Sequence, residues 1–152
     1  MYNAAYNFEA RFISEMVTSY DESPKCVLYR FVYDPYGLQF YLDRPVNYIY
    51  KTFISKYRLS SHSLSIETGR FYNIKRNMRT CNVCHDNLIE DEYHFILVCK
   101  KYDNIRKAYI KPYYWRRPSS FKLVLLLSAH NVKELNNLGK LLCLAEKVRN
   151  NV

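Results

Sequence analysis

The chain has 152 residues, of which 49% are hydrophobic and 16% aromatic, and a net charge of +9. This length and apolar content suit one folded domain with a modest core and exclude a disordered chain, while the longest wholly apolar run, Leu123 to Leu127, is far too short to span a bilayer. An odd number of cysteines, five, and an N-terminus without a basic stretch followed by an apolar core argue against a secreted disulfide framework. The expectation is a soluble intracellular protein, nuclear or cytoplasmic, with no membrane partner.

From Asn3 to Tyr20, apolar residues at 5, 8, 12, 13, 16, 17 and 20 recur at helical spacing. An amphipathic helix is therefore expected within residues 1–23, with Asp21 to Pro24 ending it, and the remaining domain spans 24–152. Cys26 to Tyr36 suits a short helix and a loop closing at Pro35 and Gly37. Leu38 to Leu42 reads as a turn. Pro45 then suits the first turn of a helix running to Leu59, with Asp43 as its cap.

Ser60 to Ser65 breaks that helix. The alternation of His62, Leu64 and Ile66 predicts a short strand, and Gly69-Arg70 a turn, so a small hairpin is expected ahead of the cysteines. Glu67 and Arg70 are placed to pair across that turn, an exposed pair of little energetic weight. For His62, flanked by serines, a hydrogen-bonded structural role fits better than metal ligation.

Cys81, Cys84, His94 and Cys99 then form C-x2-C-x9-H-x4-C. The two-residue gap lets both thiolates of a tight turn face one ion, and a histidine and a third thiolate complete four zinc ligands. His85, directly after Cys84, is the alternative fourth ligand, although its position suits a solvent-facing loop. Chance clustering of small core cysteines and a redox C-x-x-C are the competing readings; no thioredoxin-like βαβ pattern surrounds the pair. Glu90, Asp91 and Glu92 form an acidic first turn for a helix running to Ile110, with Phe95, Val98, Tyr102, Ile105 and Tyr109 as its inner stripe. His94 and Cys99 are five apart, which on an ideal α-helix sets them on different faces, so the last turn is expected to tighten or fray around Cys99.

Pro112 ends that helix, and Tyr113 to Pro118 reads as a basic aromatic connector. Ser119 or Ser120 can cap a Leu-rich helix over Phe121 to His130. Asn131 with Glu134 resembles a capping box opening a last helix, whose inner face is Leu135, Leu138, Leu142, Ala145 and Val148. Cys143 falls beside that face as a buried thiol, and His130 suits capping at the helix junction. The whole reads as a mainly α domain: small and helical, with a short hairpin and a CCHC zinc knuckle over 81–99 feeding a helix.

Charge is unevenly distributed. Residues 1–50 carry a net −2, 51–80 a net +6, 81–99 a net −4, 100–117 a net +6 and 118–152 a net +3. Two basic blocks thus bracket an acidic metal loop. Lysines and arginines that neutralise phosphates release counterions, and aromatics between them can stack on unpaired bases. The candidate nucleic-acid contacts are Arg70, Lys75, Arg76, Arg79, Lys100, Lys101, Lys111, Tyr113, Tyr114, Trp115, Arg116 and Arg117. The plainer reading is a solvated basic face that aids solubility.

The run from His62 through Leu64, Ile66, Glu67, Gly69 and Arg70 to Cys81, Cys84, Glu90, Asp91, His94, Phe95, Cys99, Tyr102 and Arg106 resembles a known pattern. It is similar to the zinc-binding tail of reverse-transcriptase polyproteins from non-LTR, LINE-type retrotransposons, over about residues 24 to 152. The resemblance implies a region downstream of the polymerase that binds template RNA or target DNA during target-primed reverse transcription. No adjacent Asp-Asp pair occurs, so the F/Y-x-D-D signature of the polymerase palm maps nowhere. The expected function is therefore a non-catalytic domain with one zinc ion that binds nucleic acid. The alternatives are a structural or protein-interaction zinc module, a decayed retroelement fragment, or a zinc hydrolase using Glu90, Asp91 or Glu92, which would need one of the four ligands to be absent.

Overall fold

The computed structural model describes residues 25, 27–34 and 37–151. The helix expected over Asn3 to Tyr20, and Cys26, lie outside the described residues. In chain order the helices are α1 (Tyr29–Val32), α2 (Phe40–Asp43), α3 (Tyr48–Arg58), α4 (Ser65–Phe71), α5 (Asp103–Tyr109), α6 (Pro112–Trp115), α7 (Ser120–Leu127) and α8 (Val132–Asn150). Between α4 and α5 come a 3-10 turn over Arg76–Met78, a π-helix over His94–Val98 and a second 3-10 turn over Lys100–Tyr102. The domain is mainly α, as the periodicities predict. No helix among the described residues is long and apolar enough to cross a membrane.

The core forms around α8. Its Leu135, Leu138, Leu141, Leu142 and Ala145 are fully buried, and α3, α5 and α7 pack against it. Each of these leucines withdrawn from water contributes about 1.5–3 kcal/mol. Asn131 Oδ1 accepts the Glu134 amide at 3.0 Å, as the capping pattern predicts. The reciprocal half of the box does not form, because the Glu134 carboxylate faces Lys111 at 3.4 Å. Ser119 caps α7 by accepting from Lys122 N, and α7 ends at Leu127 rather than at His130, which packs its ring against Phe40. Cys143 is half-buried.

One close approach decides how α3 meets α8. A Cβ on Gly139 would lie 2.2 Å from Tyr50 Cβ and 2.8 Å from Tyr50 Cα, and the latter is backbone that no rotamer change can move. Gly139→Ala is therefore expected to lower stability by about 2 kcal/mol, the overpacking outweighing alanine's better helix propensity of about 1 kcal/mol. A urea titration of the variant measures it; an unchanged or higher midpoint would mean that the two helices do not touch there.

Two local expectations are corrected. The helix predicted from Pro45 begins only at Tyr48, with Asn47 Oδ1 accepting from Ile49 N at 2.9 Å, while Asp43 closes the preceding α2. Arg44, held extended before Pro45, separates the two. The hairpin predicted around His62 to Arg70 does not form, because Ser65–Phe71 is helical. The β pairing among the described residues is an isolated antiparallel bridge, Thr80 to Ile89, which lies across the cysteine turn instead.

An aromatic column carries the core toward that turn. Tyr57 stacks on Phe95 with centroids 5.3 Å apart, Phe95 meets Tyr102 edge to face at 4.8 Å, and His62 stacks on the other side of Tyr57 at 4.9 Å. On the opposite side, buried Arg58 donates to Val32 O, to Leu127 O at 3.2 Å and to Gln39 Oε1 at 2.6 Å, joining α1, α2 and α7.

Candidate metal centre

The Thr80–Ile89 bridge sets the cysteine turn. Cys81 N donates to Leu88 O at 2.8 Å and Glu90 N to Arg79 O at 2.9 Å, so the chain reverses between them. His85 and Asn87 take left-handed conformations, at φ 57° and 54°, which swing the loop after Cys84 outward. His85 is exposed there, and the alternative fourth ligand is thereby placed outside the cluster.

The other two ligands come from the π-helix. On an α-helix a five-residue step rotates a side chain by about 140°, but here Cys99 N donates to His94 O at 2.7 Å, an i to i+5 bond. The wider turn brings residues five apart onto one side. The segment expected to tighten or fray therefore widens, and Cys99, with ψ at 121°, breaks the helix once its side chain is in place. The single helix expected from Glu90 to Ile110 is three pieces for this reason. Its inner stripe survives: Phe95 and Tyr102 are buried, and Val98, Ile105 and Tyr109 pack against the core.

Cys81, Cys84, His94 and Cys99 thus converge, their ligand atoms all within 4.8 Å of one another. His94 Nε2 lies 3.4 Å from Cys84 Sγ. Ligands at ordinary Zn–S and Zn–N lengths on a tetrahedron would be separated by about 3.5–3.8 Å, so the set fits a divalent metal ion of that coordination. The backbone also turns toward the sulfurs. The backbone at Val83 and Cys84 favours the Cys81 thiolate, and that at Lys101 the Cys99 thiolate. Without a cation, burial and the neighbouring thiols push Cys99 up to about 12, and burial pushes Cys81 upward too. Burial holds His94 below its ordinary value, which favours the neutral imidazole a metal requires. Four Cys and His ligands so placed can hold one metal ion.

The acidic run before His94 is used residue by residue. Asp91 Oδ1 accepts the His94 amide at 2.9 Å, just ahead of the helical run that begins at Glu92. Glu92 accepts from Ser60 Oγ and from His62 Nε2, both at 2.9 Å, while His62 Nδ1 faces Leu64 N. His62 is therefore a hydrogen-bonded structural residue outside the metal cluster. Glu90 is buried, accepts from Ser65 N at 2.7 Å, and takes a forked pair of bonds from Arg149 at 2.8 and 2.9 Å. The Glu90–Arg149 pair was not legible locally, since the two residues are 59 apart.

Burial raises the Glu90 carboxyl, but the Arg149 and Ser65 bonds outweigh it and leave Glu90 below its usual value. A depressed carboxylate stabilises the fold above its unfolded pKa and loses that contribution as pH falls through the lower folded value. Glu90→Gln is expected to cost about 2 kcal/mol at pH 7, and the gap to wild type should shrink at acidic pH. Parallel urea titrations from pH 7 to 4 would reveal a gap that stays constant or grows, contrary to expectation.

The candidate nucleic-acid residues divide. Lys75, Arg76, Lys101, Arg116 and Arg117 are exposed. Lys100 reaches Asp86 at 3.2 Å, Lys111 reaches Glu134, and Arg70 pairs with Glu67 at 2.7 Å along α4 rather than across a turn. Arg79 is turned inward, donating to Ile74 O and Ile66 O at 2.8 Å each. Of the connector aromatics, Tyr113 is exposed, Tyr114 is buried, and Trp115 is half-buried with its indole N–H on Ile110 O at 2.9 Å. Tyr114 and Trp115 therefore pack the domain instead of offering open faces. Beside the knuckle, Lys25, Arg70, Arg76 and Arg79 rim a cleft of about 270 Å³ that also contains Glu67, Asp91 and Glu92.

Comparison with protein-family models, curated proteins and solved structures finds no match for this chain.

Proposed function

We propose that this chain is a non-catalytic zinc domain that binds nucleic acid, RNA or single-stranded or target DNA, in the manner implied by its resemblance to the tails of LINE-type reverse transcriptases. One observation carries the reading: the four clustered ligands tie together the inner ends of the two basic blocks. Cys81 follows the block that ends at Arg79, Cys99 precedes Lys100 and Lys101, and their sulfurs belong to one cluster. A metal there would fix two cationic segments relative to each other, which phosphate recognition uses.

Zinc suits a buried set of three thiolates and one imidazole better than harder cations do. Four protein ligands leave no open position for an activated water, and Glu90, Asp91 and Glu92 are engaged in the fold. That supports a structural rather than hydrolytic metal.

Anisotropy titrations of labelled single-stranded RNA, single-stranded DNA and duplex DNA, over a salt series with and without a chelator, test the reading. Binding should weaken steeply with salt and vanish when the metal is removed. If no nucleic acid binds even at low salt while chelation still melts the protein, the domain is instead a structural or protein-interaction module. That second reading draws on the inward use of Tyr114 and Trp115.

A further inference from the structure

Two solvent-facing aromatics stand side by side in the other basic block. Phe71 and Tyr72, at the end of α4, are 81% and 72% exposed, whereas Tyr29, Tyr41, Tyr57, Phe95, Tyr102 and Tyr114 are buried. Their rings meet edge to face, 5.2 Å between centroids at 89°. That geometry leaves open ring faces on both residues. Lys75 and Arg76 follow within the same loop, both exposed.

This loop is pinned. Asn73 adopts the left-handed conformation at φ 55°, and Ile74 N donates to Gly69 O at 2.8 Å, closing α4 with a Schellman-type bond. Arg79 then clamps the loop onto the helix through Ile74 O and Ile66 O. Its side chain crosses Gly69 so closely that a Cβ there would stand 2.6 Å from Arg79 Cγ. Exposed rings on a fixed turn, with cations beside them, lose little conformational freedom when a flat anionic ligand docks.

We infer that Phe71 and Tyr72 form a base-stacking platform for single-stranded nucleic acid, with Lys75 and Arg76 on the adjoining phosphates. The inference rests on the nucleic-acid reading above and moves the stacking surface from Tyr113, Tyr114 and Trp115 to the opposite side of the metal ligands in sequence. Bases within a duplex are already stacked on one another, so such a platform favours single strands.

The test uses labelled oligouridine, oligothymidine and a duplex of equal length with wild type, F71A/Y72A, K75Q/R76Q and, as a control for loss of any exposed ring, Tyr48→Ala on α3. F71A/Y72A should bind the single strands about tenfold or more weakly, with duplex affinity, salt slope and melting temperature unchanged. K75Q/R76Q should weaken all three ligands and flatten the single-strand salt slope by about 1.4, at roughly 0.7 for each phosphate no longer neutralised. If wild type binds single strands and F71A/Y72A binds them equally well, the platform is refuted and the nucleic-acid reading stands. An equal loss for duplex, or the same loss in Tyr48→Ala, also refutes it. If wild type binds none of the three, the nucleic-acid reading fails and the platform with it.

Discussion

Cys81→Ser or Cys99→Ser is expected to abolish metal retention and, with it, the cooperative melting of the domain. The magnitude follows from what the ligands connect. Cys81 and Cys99 are buried ends of two short, irregular segments, a turn with one bridge and a single π turn, neither long enough to persist alone. Apparent zinc affinities of finger peptides correspond to about 10–16 kcal/mol at neutral pH, which exceeds or matches the whole stability of a typical small domain. The α3–α8 packing should retain helical signal in circular dichroism, whereas the region from Ser65 to Arg106 loses its fixed structure. Metal analysis of the purified variants together with thermal melts checks this. A serine variant that melts like wild type would mean the cluster does not hold the fold.

Arg106→Leu is the second variant with a large expected effect. The Arg106 guanidinium is almost wholly buried, donates to Ile96 O at 2.8 Å and to Cys99 O at 2.7 Å, and pairs with Asp103. It satisfies Ile96 O, left unpaired where the π-helix ends, adds a second donor to Cys99 O beside the Tyr102 amide, and so holds the Cys99 backbone at the Cys and His cluster. Leucine fills much of the volume but leaves Ile96 O without a donor, at about 1–3 kcal/mol, and Cys99 O with the Tyr102 amide alone, at 3.2 Å. A loss of about 2–3 kcal/mol is therefore expected, together with a ten- to hundredfold weaker metal affinity, the usual consequence of removing a residue that orients a ligand. Arg106→Lys should recover part of the stability, because an ammonium cannot fork across both carbonyls. Competition with a chromophoric chelator and urea titrations measure the two effects. Wild-type values for both in Arg106→Leu would show that the carbonyls find other donors.

The convergence of Cys81, Cys84, His94 and Cys99 was legible in the sequence because residue type and spacing are local properties. So were the starts of α7 and α8, where Ser119 and Asn131 cap within three residues of their partners. The hairpin was misread for a reason that is visible in the hydrogen bonds. His62, Leu64 and Ile66 are indeed alternately buried, but Leu64 opens a helix without a side-chain cap of its own. The cap comes from Glu90, whose carboxylate accepts Ser65 N and whose carbonyl accepts Ile66 N at 3.0 Å. Nothing within several residues of Ser65 announces that bond. The π turn was hidden likewise: H-x4-C implied a distortion, but its direction depends on Arg106, seven residues beyond Cys99, taking up the carbonyls a widened turn leaves behind. Tyr114 and Trp115 were read as surface because they sit among cations, yet Ile110 O and the core claim them.

X-ray absorption at the metal edge of the purified protein tests the four-ligand centre most directly. The first shell should contain three sulfurs at about 2.3 Å and one imidazole nitrogen at about 2.0–2.1 Å, from one zinc per chain. A shell dominated by oxygen or nitrogen, two sulfurs in place of three, or protein that folds cooperatively with no metal bound would contradict it.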